Sequence, residues 1–156
     1  MSRSKDIGTV AETAVVRYLQ AHGWPSAERR ALAGEHDLGD ITGCPGLVWE
    51  VKSGRAAENA GDGLINDWLA ETVQERVAAR ADVGVLVTKR AGYGPARAAS
   101  WWAHLTIGGL RPLLGVPSPV DAVCAEPIRM HLSTAVGVLR AAGYGDPVAE
   151  LEVSAR

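Results

Sequence analysis

The chain has 156 residues, 47% of them apolar and 22% charged, with a formal net charge of −2. That supports one domain with its own core and leaves little room for a second. No apolar run approaches the ~20 residues of a membrane span, and the near-neutral balance excludes a protein that grips nucleic acid by overall positive charge, so any such role needs a local basic face.

The N-terminal segment Met1-Ser2-Arg3-Ser4-Lys5-Asp6 lacks the apolar stretch of a secretory signal, and a cytoplasmic location is expected. Cys44 and Cys124 form no CxxC pair and no Cys/His cluster, so they are expected as free thiols in a reducing compartment. Lys5, Lys52 and Lys89 are the lysines among sixteen basic residues, the rest being Arg. A lysine that persists against such a bias can serve as a compact ammonium beside a reacting oxygen.

Residues 6–22 set Ile7, Val10, Ala11, Ala14, Val15, Tyr18 and Leu19 at helical spacing, and Gly23 stops the run. At about 100° per residue, Glu12 falls on the edge of this stripe with Gly8, Val15 and Leu19, where a carboxylate can look across the core boundary. A short strand is expected over 27–32, carrying Arg29 and Arg30, followed by a loop containing Glu35, His36 and Asp37. Extended runs over 40–42 and 47–53 flank Gly43-Cys44-Pro45-Gly46 and read as a hairpin. Residues 54–63 read as a loop.

Residues 64–81 read as an amphipathic helix that buries Ile65, Trp68, Leu69, Thr72, Val73 and Val77. The continuous apolar run 83–88 predicts a strand buried on both faces. A basic glycine-bearing loop follows at 89–95, then a short helix over 96–103, a further strand within 104–114, a Pro-rich connection over 115–127 and a last helix over 128–142. The order predicts an α/β domain over 5–142, with hairpin-linked strands, a strand reached through a helical crossover, a C-terminal helical addition and a tail at 143–156.

The chemistry-bearing stretch is Gly39-Asp40-Ile41-Thr42 followed by Val48-Trp49-Glu50-Val51-Lys52. Strand alternation puts Val48, Glu50 and Lys52 on one face, with Leu47, Trp49 and Val51 on the other. A four-residue turn would pair Asp40 with Trp49 and turn it away, whereas a five-residue turn or a bulge would set Asp40 opposite Glu50. The longer connection is therefore predicted. Two carboxylates so placed repel unless a divalent cation joins them, and oxygen-only ligation suits Mg²⁺ or Mn²⁺. Lys52 on the same face can orient water or neutralise charge on a phosphate. An isolated ExK triplet is ordinarily a surface ion pair.

An acidic residue, a turn and ExK on a strand with an apolar back, after a helix carrying a Glu, resembles the PD-(D/E)xK nuclease superfamily. The arrangement is most similar to archaeal-type and phage Holliday junction resolvases, over roughly 7–89. The matching positions are Glu12, Asp40, Glu50 and Lys52, with the strand before Lys89 and Arg90 in place of the one after the crossover helix. Gly39 stands where the motif has Pro.

The resemblance implies a restriction-endonuclease-like αβββαβ core forming a single nuclease domain. It also implies Mg²⁺ at Asp40 and Glu50 with Glu12 assisting, water positioned by Lys52, and in-line displacement of the 3′ oxygen in branched DNA. A homodimer would supply two sites for symmetric cleavage of a junction, in the host cytoplasm if the protein is phage-encoded. Asp37 is a rival for the role of Asp40. Arg29, Arg30, Arg55, Lys89 and Arg90 are expected to bind DNA phosphates. Glu71 and Gln74 are weighed as approaching the site, and Trp101 and Trp102 as base-stacking groups. His104 and His131 read as structural. An end-processing exonuclease, a restriction-type enzyme and a catalytically dead DNA-binding module remain the alternatives.

Overall fold

The computed structural model describes residues 3–31, 37–117 and 122–147. Helix α1 (Arg3–Ala21) leads into strands β1 (Glu28–Arg29), β2 (Ile41–Thr42) and β3 (Leu47–Lys52). A short helix α2 (Gly54–Glu58) and the long helix α3 (Asp62–Ala78) cross to β4 (Val83–Thr88). A 3₁₀ turn (Pro95–Ser100), β5 (Trp102–Thr106), α4 (Ile107–Leu113), a second 3₁₀ turn (Ala122–Ala125), β6 (Pro127–His131) and α5 (Leu132–Ala141) complete the order.

The six strands form one open sheet in sequence order, β1 to β6. It is mostly antiparallel; among the described strands only β3 and β4 run parallel, joined by the crossover through α2 and α3. No helix among the described residues is long and apolar enough to cross a membrane.

The two faces of the sheet are covered differently. Leu47, Trp49, Val51, Val83, Val85, Val87, Ala103 and Leu105 pack with the buried stripes of α1 and α5 into the main core. Trp49 is fully buried and meets Trp24 edge-on, with centroids 6.2 Å apart. Burying such an indole removes roughly 150–250 Å² from water, about 4–6 kcal/mol at ~25 cal/mol/Å². Helix α3 covers Val48, Glu50 and Leu86 on the opposite face. Gly84 permits this approach, since a Cβ there would lie 3.1 Å from the Thr72 carbonyl oxygen.

The expected hairpin register holds: Ile41 lies opposite Trp49, leaving the five-residue connection 43–47. The Asp40 N–H donates to the Trp49 carbonyl at 2.8 Å, which brings Asp40 alongside Glu50. Gly39 makes this entry possible with φ +88°, a conformation proline cannot reach. The departure from the Pro-Asp motif is thus a backbone requirement of this chain. A Cβ on Gly39 would lie 2.8 Å from Val48 Cγ1 and 2.9 Å from the Trp49 carbonyl oxygen. Gly39→Ala is therefore expected to cost about 2 kcal/mol or more, read as a lower urea midpoint with an unchanged slope.

Several expectations are corrected. The 54–63 segment contains the short helix α2, which Asn59 ends by donating its backbone N–H to the Arg55 carbonyl. Helix α1 leaves Ile7 and Val10 exposed, and α3 leaves Val77 exposed, since neither helix lies flat on the sheet along its whole length. Ile65, Trp68 and Val73 are only partly buried. The helix expected over 96–103 is a 3₁₀ turn, and Trp102 and Ala103 belong to β5. The strand expected within 104–114 ends at Thr106, whose side chain caps α4 by accepting the Gly109 N–H at 3.0 Å.

Residues 127–131, expected within or beside the last helix, form edge strand β6, whose residues alternate between exposed and partly buried. The strand expected over 27–32 is reduced to two residues, and Leu32, Glu35 and His36 lie outside the described residues. Cys44 and Cys124 form no disulfide with each other, as expected.

Candidate functional site

The site lies at the carboxyl end of the one parallel pair, where β3 ends in Lys52 and β4 in Thr88. In open α/β sheets such ends are where side chains can converge on a ligand, because the connections diverge there. Strand β2 stops short of β3's last residues. The Asp40 side chain takes its place: its Oδ2 accepts the Val51 N–H at 2.7 Å. Asp40 is thereby fixed by the backbone it would otherwise pair with.

Glu50 is 5% exposed, enclosed beneath α3. Its Oε1 takes the Lys52 ammonium at 2.7 Å, while its Oε2 has no hydrogen-bond partner among the described residues. The helix lowers Glu75, 7% exposed, toward it, and the Glu75 Oε2 is likewise without a partner among them. Asp37 completes the group: Asp37, Glu50 and Glu75 each offer an oxygen, all within 4.8 Å of one another, an arrangement able to hold a metal ion. Asp37 is itself steadied by accepting the Gly39 N–H at 3.1 Å.

The electrostatics follow from this crowding. Burial, then the charge of Glu50, raises Asp40 to about 7, and the charge of Glu12 adds to the rise. Burial raises Glu50 to about 7 against the opposing contact with Lys52. Glu75 is also raised to about 7, by burial and then by the charge of Asp37. Three carboxyls titrating near neutrality in one pocket mark a place where negative charge is under-compensated. For Lys52, burial works against the ammonium, but Glu50, Glu71 and Asp40 outweigh it and its pKa is raised. Lys52 is therefore a hydrogen-bond donor and a positive charge at neutral pH, with no capacity to take a proton.

The four residues read from the sequence thus converge: Asp40 couples to both Glu50 and Glu12, and Glu50 binds Lys52. Glu12 is half-buried and paired with Arg29 at 2.7 Å, and Arg29 also reaches Thr9 Oγ1 at 3.2 Å. Glu71 is exposed, 3.9 Å from the Lys52 ammonium. Gln74 instead lines a groove between α3 and α4, away from this cluster.

Glu75 was not anticipated. The signal was present, since Leu69, Thr72 and Glu75 recur at three-residue spacing, but a carboxylate on a buried stripe reads as a break in it. The open front face expected for β3 is also corrected. Helix α3 roofs Glu50, and only Lys52 is substantially open.

The expected phosphate contacts divide. Arg29 is engaged by Glu12, the Arg30 Nε donates to the Gly39 carbonyl at 3.2 Å, and Lys89 is held by Glu58. Arg55 is exposed on α2, and Arg90 is sandwiched by Tyr93 and Trp102. Trp101 is fully buried and donates its indole N–H to the Tyr93 carbonyl, so of the two tryptophans only Trp102 is partly exposed. His104 is buried against Thr88 Oγ1 at 3.0 Å, which fits its structural reading.

Comparison with protein-family models, with curated proteins and with solved structures finds no match, so the chemistry of this site rests on its geometry.

Proposed function

We propose that this chain is a divalent-metal-dependent deoxyribonuclease with a restriction-endonuclease-like core, hydrolysing phosphodiester bonds in branched DNA. The observation that carries the reading is the pair of buried carboxyls, Glu50 and Glu75, in contact with each other and each with an oxygen that no other group among the described residues partners, beside Asp37, Asp40 and the Lys52 ammonium. Buried ionisable oxygens without partners are costly. A hard cation resolves that cost, and an all-oxygen donor set fits Mg²⁺, with Mn²⁺ able to substitute. The order of α1, three strands, the α2–α3 crossover and β4, with Glu12 of α1, Asp40 before β2 and Glu50 of β3 brought together, supports the resemblance to junction resolvases.

Glu50, Glu75 and Asp37 would hold the cation, with Asp40 at their side and Glu12 behind it. The cation when bound would supply Lewis acidity toward a phosphoryl oxygen. The chain's own groups do the rest. Lys52, fixed by Glu50 at one oxygen, directs its remaining N–H groups outward to a water or a non-bridging phosphate oxygen. Asp40, fixed through Val51, keeps its other oxygen to orient that water. Charge developing on the phosphate would meet the Lys52 ammonium at the open edge of the α3 roof.

The test is cleavage of matched four-way junction, duplex and single-stranded DNA with Mg²⁺, wild type beside Asp40→Asn. Junction cutting reduced about a hundredfold or more in the variant is expected. The Asn oxygen can still accept the Val51 N–H, so the fold should survive. Preference for DNA ends or plain duplex would retain the nuclease and reject junction selectivity. Binding without metal-dependent cutting of any substrate would identify a DNA-binding module.

A further inference from the structure

Beyond the acidic pocket, Trp102, Arg129 and His131 on the same sheet face meet Arg90, Tyr93 and Arg97 of the connection after β4 in an alternating stack of arginines and aromatic rings. The Arg97 guanidinium lies 4.2 Å over Tyr93, and Arg90 lies 4.2 Å over Tyr93 and 4.3 Å over Trp102. Arg129 lies 4.2 Å over Trp102, and His131 stacks on the same indole at 5.1 Å. The stacking orders three guanidiniums without neutralising them. Among the described residues none of the three has a carboxylate within 4.0 Å. Arg90 donates to the Ser100 carbonyl at 3.4 Å and contacts His131 at 3.3 Å. Arg97 and Arg129 are exposed, and their guanidinium groups make no hydrogen bond within the described residues.

We propose that this strip, with Arg97 and Arg129 as its open contacts, binds the phosphate backbone of the DNA strand that enters the acidic pocket. Three adjacent like charges held in place by ring faces repel one another, and a polyanion removes that cost. Guanidinium faces occupied by rings leave planar donor edges suited to phosphate oxygens. Register supplies the direction. Lys52, Thr88, Trp102 and His131 lie in one row across β3, β4, β5 and β6. Two inter-strand steps of about 4.8 Å put Trp102 about 10 Å from Lys52. The strip therefore meets the same backbone a short way along from the phosphate at Lys52. That placement rests on the nuclease reading; the binding itself does not.

The experiment is fluorescence anisotropy of a labelled four-way junction and of its duplex arm, in EDTA so that nothing is cut, over a series of salt concentrations. Arg97→Ala/Arg129→Ala is compared with Arg17→Ala/Arg80→Ala, which removes the same charge from exposed positions outside the strip. Each lost phosphate contact lowers the log–log salt slope by roughly 0.9. The strip variant should therefore show a slope shallower by about 2 and binding weakened about tenfold or more, with the control near wild type. Equal losses in both variants, or none in either, would overturn the proposal, as would polyglutamate competing as well as duplex DNA. If wild type cuts DNA with Mg²⁺ while the strip variant binds unchanged, the strip fails and the nuclease reading stands. If the strip binds as expected and no cutting occurs, the reverse holds.

Discussion

Glu50→Gln is expected to lower Mg²⁺-dependent DNA cleavage by about 10³-fold or more while making the metal-free protein more stable at pH 8. The two effects have one cause. Glu50 is buried with an unpartnered oxygen and is pushed up to about 7, so at pH 8 the metal-free fold carries a charge it solvates poorly. Glutamine keeps the shape, can still accept from Lys52, and removes that charge together with the anionic donor a cation needs. A purely structural Glu50–Lys52 ion pair would behave otherwise: losing it would destabilise the fold at pH 8, and a bound cation would not matter. Single-turnover cleavage alongside thermal unfolding in EDTA distinguishes the two. A variant that cuts at the wild-type rate would remove Glu50 from the chemistry.

The second large effect is the response of stability to pH and metal. Asp40, Glu50 and Glu75 have folded values of about 7, above the ordinary carboxylate values that the unfolded chain shows. Between about pH 4.5 and 7 the folded state holds protons that the unfolded state has released, so stability falls as pH rises through that window and levels off above it. His104 acts in the opposite sense. Burial, then the charge of Arg129, lowers it to about 4, so its contribution grows as pH rises toward 6.5. Three carboxyls outweigh one imidazole, and a net fall in Tm from pH 5 to pH 8 is expected in EDTA.

Mg²⁺ or Mn²⁺ should cancel that fall, since binding displaces the same protons and ties the same carboxylates. At a hundredfold excess over Kd the gain at pH 8 should be about 5–10 °C. Calorimetry should show proton release on binding near pH 6.5, reduced in Glu75→Gln. A Tm indifferent to metal at every pH would leave the buried acids without their proposed ligand.

Much of this site was legible in the chain itself. Strand alternation alone set Glu50 and Lys52 on one face and Trp49 and Val51 on the other, because a pleated backbone has no third option. The apolar run Val83–Thr88 declared a buried strand, and the need to bring Asp40 beside Glu50 called for the five-residue connection that the register shows. The helical stripe of α1 placed Glu12 at the core boundary, where its charge reaches Asp40.

Tertiary packing decided the remainder. Glu75 becomes a site residue only because α3 crosses the sheet at Gly84 and presses that part of its surface onto Glu50, and no periodicity reports which neighbour a helix will meet. Asp37 gains its place through a loop closed by Gly39, and the depth of Glu50 depends on the α3 roof. The arginine–aromatic strip joins Arg90, Arg97, Trp102 and Arg129 through the pairing of β5 with β4 and with an edge strand whose sequence looked like the approach to a helix. Local sequence fixes which face a side chain takes, since that depends on backbone geometry over a few residues. Which faces then meet depends on how distant elements pack, and here that packing created both the partnerless carboxylates and the unneutralised arginines.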